Sequence, residues 1–109
     1  MPGEETPDTE IIINIHYHRP DNDYDMWSVW LWATGWDGVD YAFSQYPDEH
    51  GVVASVVFPA GTEEVGFIVR TMDWLKDTPY DRFIDLSDFC GGTVDVYVES
   101  GVEEFEVVY

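Results

Sequence analysis

A chain of 109 residues with 23 acidic against four lysine and arginine side chains is large enough for one hydrophobic core and too small for two. Its net charge of −19 would repel nucleic acids and anionic membranes, which leaves neutral or cationic partners. Hydrophobic residues make up 45% and aromatic residues 17% of the chain, a composition typical of a folded domain and not of a disordered segment. High solubility in an extracellular or salty setting is the simplest explanation of the acidity.

The two ends of the sequence suggest how the chain is divided. Residues 1–10 are acidic and proline-rich, which predicts a linker or a frayed terminus, and residues 11–109 are predicted to form a single domain. The first residues, Met1–Glu5, lack the basic and apolar regions of a secretory signal. We therefore expect either a cytosolic protein or a domain taken from a longer chain. No apolar run approaches the roughly 20 residues of a membrane span.

Short runs of alternating apolar side chains, separated by turn-forming residues, predict seven or eight strands and no full helix. In chain order the predicted strands are 11–18, 27–32, 40–43, 52–58, 64–70, 82–86, 93–99 and 105–109. Turns or loops are predicted for segments between them, among them 19–25, 35–38, 45–51 and 72–80. This pattern is typical of an antiparallel, immunoglobulin-like β-sandwich, and the predicted fold class is all-β.

The most informative stretch is Trp27–Trp32, because alternate side chains of a strand point to opposite faces. If Val29 and Leu31 face the core, Trp30 and Trp32 project outward, side by side and about 6.6 Å apart along the strand. Two neighbouring tryptophans that face water require an explanation. We favour a flat, apolar platform that binds sugar rings. The alternative is burial under the second sheet or under a neighbouring domain.

Three other tryptophans are assigned from their context. Trp27 is expected in the core. Trp74 is expected either in the core or at the rim of the platform. Trp36 lies in a glycine-rich turn and is a further candidate for the rim.

The only lysine of the chain, Lys76, lies in the loop that follows the fifth predicted strand. In one interpretation it is a solvated lysine paired with Asp73 or Asp77, an ion pair of little energetic value. In the other, Lys76 and Asp81 flank the platform, where an ammonium and a carboxylate offer a donor and acceptors to neighbouring hydroxyls of a sugar. The spacing alone does not decide between them.

No catalytic or metal-binding constellation stands out from the sequence. Cys90 is the only cysteine, without a nucleophile motif around it, and is interpreted as a small buried hydrophobe. His16 and His18 share a strand face, but only His50 offers a third imidazole, so a structural role is favoured. The acidic segment 21–25 is followed by neither the glycine nor the glutamate of a calcium-binding EF-hand loop, so a hairpin turn is favoured. We expect no catalytic residues, no metal and no cofactor.

Several separate motifs occur in an order that is specific when they are taken together. They are His16–Pro20, Tyr24–Asp25, Trp27–Trp32, Gly66–Arg70, Trp74–Asp77 and Asp81–Asp85. With these motifs the chain resembles the family 41 carbohydrate-binding modules, the starch-binding domains at the N-terminal side of pullulanases. The resemblance implies a non-catalytic β-sandwich in which a glucan stacks on two tryptophans and a lysine and an aspartate hydrogen-bond to it. The matching residues here are Trp30, Trp32, Lys76 and Asp81, and Met26 stands where a glycine is frequent in the family.

The resemblance implies a function as well. It predicts a module that tethers an amylolytic enzyme such as pullulanase to starch, glycogen or pullulan. The expected partners are α-1,4-linked glucans or maltooligosaccharides and a covalently linked catalytic domain, with no nucleic acid, no membrane and a monomeric state. The expected location is extracellular or at the cell surface, as part of a secreted enzyme. Two other interpretations stay open: an immunoglobulin-like adhesion or spacer domain whose tryptophans dock a protein, and a small acid–base hydrolase.

Overall fold

The computed structural model describes residues 10–21, 23–24, 26–33, 36–44, 51–59, 61–78, 81–87, 89 and 91–109, with only the backbone of residue 36. Residues 1–9 of the linker predicted at 1–10 lie outside these residues, as do most of the loop at 45–51, with His50, and Cys90. Two residues of the acidic segment, Asn22 and Asp25, lie outside them as well. The strands of the described part are β1 (Glu10–His18), β2 (Trp27–Ala33), β3 (Trp36–Ala42), β4 (Val52–Pro59), β5 (Glu64–Thr71), β6 (Arg82–Asp85), β7 (Gly92–Glu99) and β8 (Phe105–Val108). The all-β prediction is confirmed. No helix in this part is long and apolar enough to cross a membrane.

The strands form two four-stranded sheets. Sheet A has the order β4-β1-β7-β8, and sheet B has the order β3-β2-β5-β6. Neighbouring strands are antiparallel in both sheets except for the parallel pair β1 and β7. The predicted antiparallel sandwich is therefore confirmed, with one parallel pair in sheet A.

The core lies between the inner faces of the two sheets, where alternate residues of the strands are buried. Tyr17 of β1 and Phe67 of β5 are its largest fully buried side chains. Aliphatic residues fill the rest of the core: Ile11, Ile13, Ile15, Val29, Leu31, Val65, Val69, Ile84, Leu86, Val94 and Val96. Each large apolar side chain removed from water contributes about 1.5–3 kcal/mol, so burial of these faces fixes which side chains of each strand point outward. Trp27 packs against this core, as predicted.

The third strand begins earlier than the sequence indicates. The turn predicted at 35–38 is wrong for Trp36–Gly38, which belong to β3 and pair with β2. The Asp37–Gly38 pair is a common turn signal, but here pairing with β2 extends the strand through it. The register shifts between Leu31 and Ala33, an irregularity of the kind that re-aims side chains at the edge of a sheet.

Candidate functional site

The outer face of sheet B carries the two tryptophans that the strand alternation predicts to face outward. Val29 and Leu31 are buried at 0% and 1% exposure, whereas Trp30 and Trp32 are partly exposed. Ile68 of β5 is the partner of Trp30 in the sheet register and is also partly exposed. This outer face therefore presents apolar side chains to solvent.

Two glycines lie directly under the indoles. A Cβ atom on Gly38 would lie 2.0 Å from Trp30 Nε1, and a Cβ atom on Gly66 would lie 2.4 Å from Cε2 and Cζ2 of Trp32. Real Cβ atoms do not approach other atoms so closely, so any larger residue at either position would displace the indole. Glycine in a strand marks such a close approach. Trp30 thus leans over β3, and Trp32 leans over β5.

Trp74 adds a third indole to this surface. Its ring centroid lies 5.2 Å from that of Trp30, with the planes inclined by 66°. Trp74 is 46% exposed, so the interpretation of this residue as core is wrong. The turn after β5 is tight, with the amide of Trp74 donating to the carbonyl of Thr71, and the apolar ring is left at the surface. Its backbone lies in the left-handed region, φ 63°, a costly conformation for a bulky residue and one that is often found at ligand-binding sites.

A buried arginine supports these rings from below. The guanidinium carbon of Arg70 lies 4.1 Å from the ring centroid of Trp74 and 5.2 Å from that of Trp30. Arg70 Nη2 is 3.0 Å from Asp40 Oδ1, which also accepts a hydrogen bond of 2.6 Å from Ser28. Cation–π contacts of this kind contribute about 0.5–2 kcal/mol each. Arg70 therefore holds the position of Trp74 against Trp30.

The second predicted tryptophan also has an aromatic neighbour. The ring of Phe83, on β6, lies 5.9 Å from that of Trp32 with the planes nearly perpendicular, at 87°. Gly66 is the register partner of both residues, one on each neighbouring strand. Because Gly66 has no side chain, the two rings meet above it.

Lys76 and Asp81 lie next to this surface and next to each other. Lys76 forms a bridge with Arg70, which places both on the same side of sheet B because paired residues of antiparallel strands share a face. Lys76 Nζ is 3.5 Å from Asp81 Oδ1, and the two side chains are 38% and 41% exposed. Such an exposed pair is worth at most about 1 kcal/mol, so both groups can exchange this contact for a ligand at little cost. Among the residues that the structure describes, the ion-pair partner of Lys76 is Asp81, and not Asp73 or Asp77 as the first sequence interpretation had it. Contact of Lys76 and Asp81 with a sugar stays a prediction.

Asp77 has a different role, as the anchor of the segment that carries Lys76. Its carboxylate is 3% exposed and accepts hydrogen bonds from the hydroxyl of Tyr17 (2.8 Å), the hydroxyl of Ser100 (2.8 Å) and the amide of Gly101 (2.9 Å). Arg19 Nη1 lies 3.3 Å from the same carboxylate. The segment is therefore tied to β1 and to the turn after β7.

The charged groups around this anchor have shifted pKa values. Burial raises the pKa of the Tyr17 hydroxyl above its ordinary value of 10.0. The hydrogen bonds between Arg19 and Asp23, at 2.8 and 3.1 Å, raise the pKa of the Arg19 guanidinium and lower that of the Asp23 carboxyl. Arg19 is thus always charged and occupied on both sides, by Asp23 and by Asp77. Asp23, in the segment where a calcium loop was the alternative, is an ion-pair partner.

The two histidines predicted to be structural have partners on sheet A. His16 Nε2 is 3.0 Å from Asp95 and its ring stacks on Tyr97 at 4.6 Å, while His18 Nδ1 is 2.9 Å from Glu99. Among the residues that the structure describes, no group of three or more histidine, cysteine or acidic side chains is placed to hold a metal.

Sequence reasoning missed several residues of this surface. It did not find Arg70, Phe83, or the two glycines beneath the indoles. The alternation within β6 does predict that Phe83 faces outward, but only the register of β6 with β5 shows that it meets Trp32. The side chain of Trp36, the other predicted rim residue, lies outside the described residues.

Three solved structures resemble this fold. The first, from a study of α-glucan recognition by family 41 carbohydrate-binding modules of streptococcal virulence factors, has a TM-score of 0.63 and 21% identity, over 96% of this chain and 48% of that chain. The second, the product complex of the multi-modular glycogen-degrading pneumococcal virulence factor SpuA, has a TM-score of 0.62 and 19% identity, over 86% of this chain and 10% of that one. The third, from α-glucan binding by a streptococcal virulence factor, has a TM-score of 0.62 and 17% identity, over 86% and 45%. This chain thus spans about half or less of each.

The sequence itself matches a family. Residues 12–107 match the bacterial pullanase-associated domain. The match covers all eight strands except Glu10 and Ile11 of β1 and Val108 of β8. The resemblance to the pullulanase-associated, family 41 modules that the motifs predict is thereby confirmed. The chain belongs to the family of bacterial pullanase-associated domains.

Proposed function

We propose that the outer face of sheet B binds an α-glucan, with Trp30 and Trp32 stacking on successive glucosyl units and Lys76 and Asp81 hydrogen-bonding to their hydroxyls. The observation that carries this proposal is the pair of partly exposed indoles of Trp30 and Trp32 next to a weak lysine–aspartate pair. The family membership and the α-glucan binding of two of the similar structures support it.

The chemistry of a pyranose ring fits such a surface. Its C–H face is apolar, and covering it with an indole removes apolar area from water at roughly 25 cal/mol per Å². The right-handed twist of β2 inclines neighbouring side chains to one another, which suits a curved α-1,4 chain better than a flat one. A shallow surface site predicts dissociation constants on the order of 1 μM, or about −8 kcal/mol.

The hydrogen-bonding pair gives this site its selectivity. The ammonium of Lys76 donates and the carboxylate of Asp81 accepts, so together they match vicinal hydroxyls. Charge-assisted hydrogen bonds are about twice as strong as neutral ones. A sugar whose hydroxyls have the wrong orientation leaves these charged groups unsatisfied and binds less tightly.

We propose further that the domain is non-catalytic and works within a longer, secreted glucan-degrading enzyme. Attachment to an insoluble glucan raises the effective concentration of the linked catalytic domain at its substrate. Incubation of the isolated domain with amylose should release no reducing sugar. Release of sugar would instead favour the hydrolase interpretation.

Substitution of the two tryptophans tests the binding proposal. Trp30→Ala and Trp32→Ala should each abolish retention in affinity electrophoresis on amylose, with a circular dichroism spectrum like that of the parent chain. Val57→Ala is the matched control, because Val57 is an exposed apolar residue, at 53%, on the other sheet. Normal retention of both tryptophan variants would contradict the proposal. Tryptophan fluorescence that does not change during titration with maltooligosaccharides would point instead to a surface that docks a protein.

A further inference from the structure

A half-exposed aromatic ring lies next to the proposed site and has no evident role in the core. Phe83 is 49% exposed, and its neighbours in β6, Arg82 and Ile84, are the residues that face inward. Its ring lies against that of Trp32. About half of the Phe83 side chain is therefore free to contact a ligand that already covers Trp32.

The geometry of the rings gives Phe83 a contact surface separate from that of Trp32. The two residues are about 9.6 Å apart between backbones, across Gly66, but the indole of Trp32 leans over Gly66 and the two ring centroids are 5.9 Å apart. The planes of the two rings are nearly perpendicular, at 87°. A sugar face that stacks flat on Trp32 therefore cannot also stack flat on Phe83.

The three rings describe a bend. Trp30 and Trp32 lie along β2, and Phe83 lies sideways from Trp32 across β5. Asp81 comes two residues before Phe83, which places it on the same outer face and on the inner side of the bend. A ligand that follows the three rings therefore curves around the Lys76–Asp81 pair, and α-1,4-linked glucans are curved chains.

The contact between Trp32 and Phe83 depends on the glycine between them. With any larger residue in place of Gly66, its side chain would stand between two strands whose rings otherwise meet at 5.9 Å. Beyond Phe83 on the same face, Glu64 and Asp85 are opposite each other in the register. Carboxylates accept hydrogen bonds from hydroxyls and repel anions, so this edge suits a ligand that carries hydroxyls and no negative charge, as an α-glucan does.

We propose that Phe83 forms an additional sugar-contact position, which makes the site selective for neutral α-glucans longer than those that cover Trp30 and Trp32 alone. This inference rests on the proposed function. It predicts that affinity rises with chain length beyond the part of the ligand that the two tryptophans cover, and that this rise depends on Phe83.

The proposal is tested by isothermal titration calorimetry, which measures the affinity of the parent chain and of Phe83→Ala for maltotriose and for maltohexaose. Phe83→Ala should lower the affinity for maltohexaose about fivefold, because roughly half of a phenyl ring is no longer covered. The affinity for maltotriose should stay within about twofold. Phe83→Leu keeps apolar bulk against Trp32 without the flat ring and should give the same length-selective loss, smaller in size. Val57→Ala on sheet A is the control and should bind both ligands as the parent does.

The outcomes separate this inference from the proposed function. An equal loss for both ligands would overturn it, since Phe83 would then only support Trp32, and so would unchanged affinity for both. If Trp30→Ala and Trp32→Ala bound both ligands normally, the proposed function would itself be contradicted, and the inference with it. Loss of all binding in the tryptophan variants without any effect of Phe83→Ala would overturn the inference alone.

Discussion

The outer faces of the two sheets are built from the same strand alternation and carry different side chains. On sheet A a row of hydrogen bonds crosses three strands. The hydroxyl of Ser55 donates to Asn14 Oδ1 at 2.6 Å, and Asn14 Nδ2 donates to Asp95 Oδ1 at 3.2 Å. His16 and Tyr97 stack beside this row. On sheet B the equivalent outward positions carry Trp30 and Trp32, with Phe83 on the edge strand.

The two faces differ in whether their outward side chains find partners within the fold. The outer face of sheet A combines polar side chains that satisfy one another across the strands with a small aliphatic pair, Ile12 and Val57. The aromatic side chains of sheet B keep apolar area in contact with water, and the fold gains nothing from that exposure. The stability of the fold therefore accounts for the outer face of sheet A, whereas an exposed aromatic surface like that of sheet B is typical of a ligand-binding site. Substitutions on either face, or at the anchor between the faces, separate these two roles.

The largest expected effect is at the anchor that serves both sheets. Asp77→Ala should lower the free energy of unfolding by about 3 kcal/mol, because Arg19 and Tyr17 lose a buried partner. Urea denaturation measures this change. Ser100→Ala removes only one of the donors to Asp77 and should cost about 1 kcal/mol. If Asp77→Ala unfolds at the parent's urea midpoint, the segment that carries Lys76 is not held by this carboxylate.

The next effect belongs to sheet B alone. Lys76→Met should lower glucan affinity about 10- to 100-fold, the loss of one charge-assisted hydrogen bond, and change the free energy of unfolding by less than about 0.5 kcal/mol. Calorimetric titration and urea denaturation of the same preparation measure both. The control is His18→Gln, which changes an exposed hydrogen bond to Glu99 on sheet A and should leave the affinity unchanged. A large loss of stability in Lys76→Met would mean that the lysine serves the fold.

Much of this contrast follows from the sequence, and the rest depends on register. The alternation Trp27–Trp32 places two indoles outward, because a strand has a fixed period of two and Val29 and Leu31 demand burial. It cannot show that Gly38 and Gly66 lie beneath those indoles, since their positions depend on how β3 and β5 align with β2. Gly38 in particular follows an aspartate, and the pair looks like a turn.

The loop residues were less predictable for a related reason. The exposure of Trp74 comes from a tight turn with a left-handed backbone, which a sequence pattern of apolar residues does not reveal. Met26, by contrast, is a loop residue whose backbone conformation the resemblance does indicate. The resemblance shows that glycine is frequent at this position, and the backbone of Met26 is indeed left-handed, φ 76°, a conformation that glycine adopts freely.

A smaller effect is expected from filling the space under an indole. Gly66→Ala should lower glucan affinity about five- to tenfold by displacing Trp32. Overpacking at this site should cost about 1 kcal/mol of stability. Ser55→Ala, an exposed residue on sheet A, is the control for a small change on the other outer face. Parent-like affinity of Gly66→Ala would show that the position of Trp32 above the glycine is not needed for binding.

The smallest expected effect is a pH dependence confined to sheet A. The hydrogen bond from His16 lowers the pKa of the Asp95 carboxyl below its ordinary value of 3.8, against a smaller opposing effect of burial. A lowered pKa in the folded state means that the ionised carboxylate stabilises the fold above pH 3.8, and that this contribution is lost as the pH falls through the folded-state pKa. Asp95→Asn should therefore be less stable than the parent at neutral pH, and the difference should shrink on acidification below pH 3.8. Urea denaturation of both chains across that range measures it.

At neutral pH, Asp95→Asn should bind glucan as the parent does, because Asp95 lies on the sheet opposite Trp30 and Trp32. A loss of affinity would show that the two outer faces are not independent.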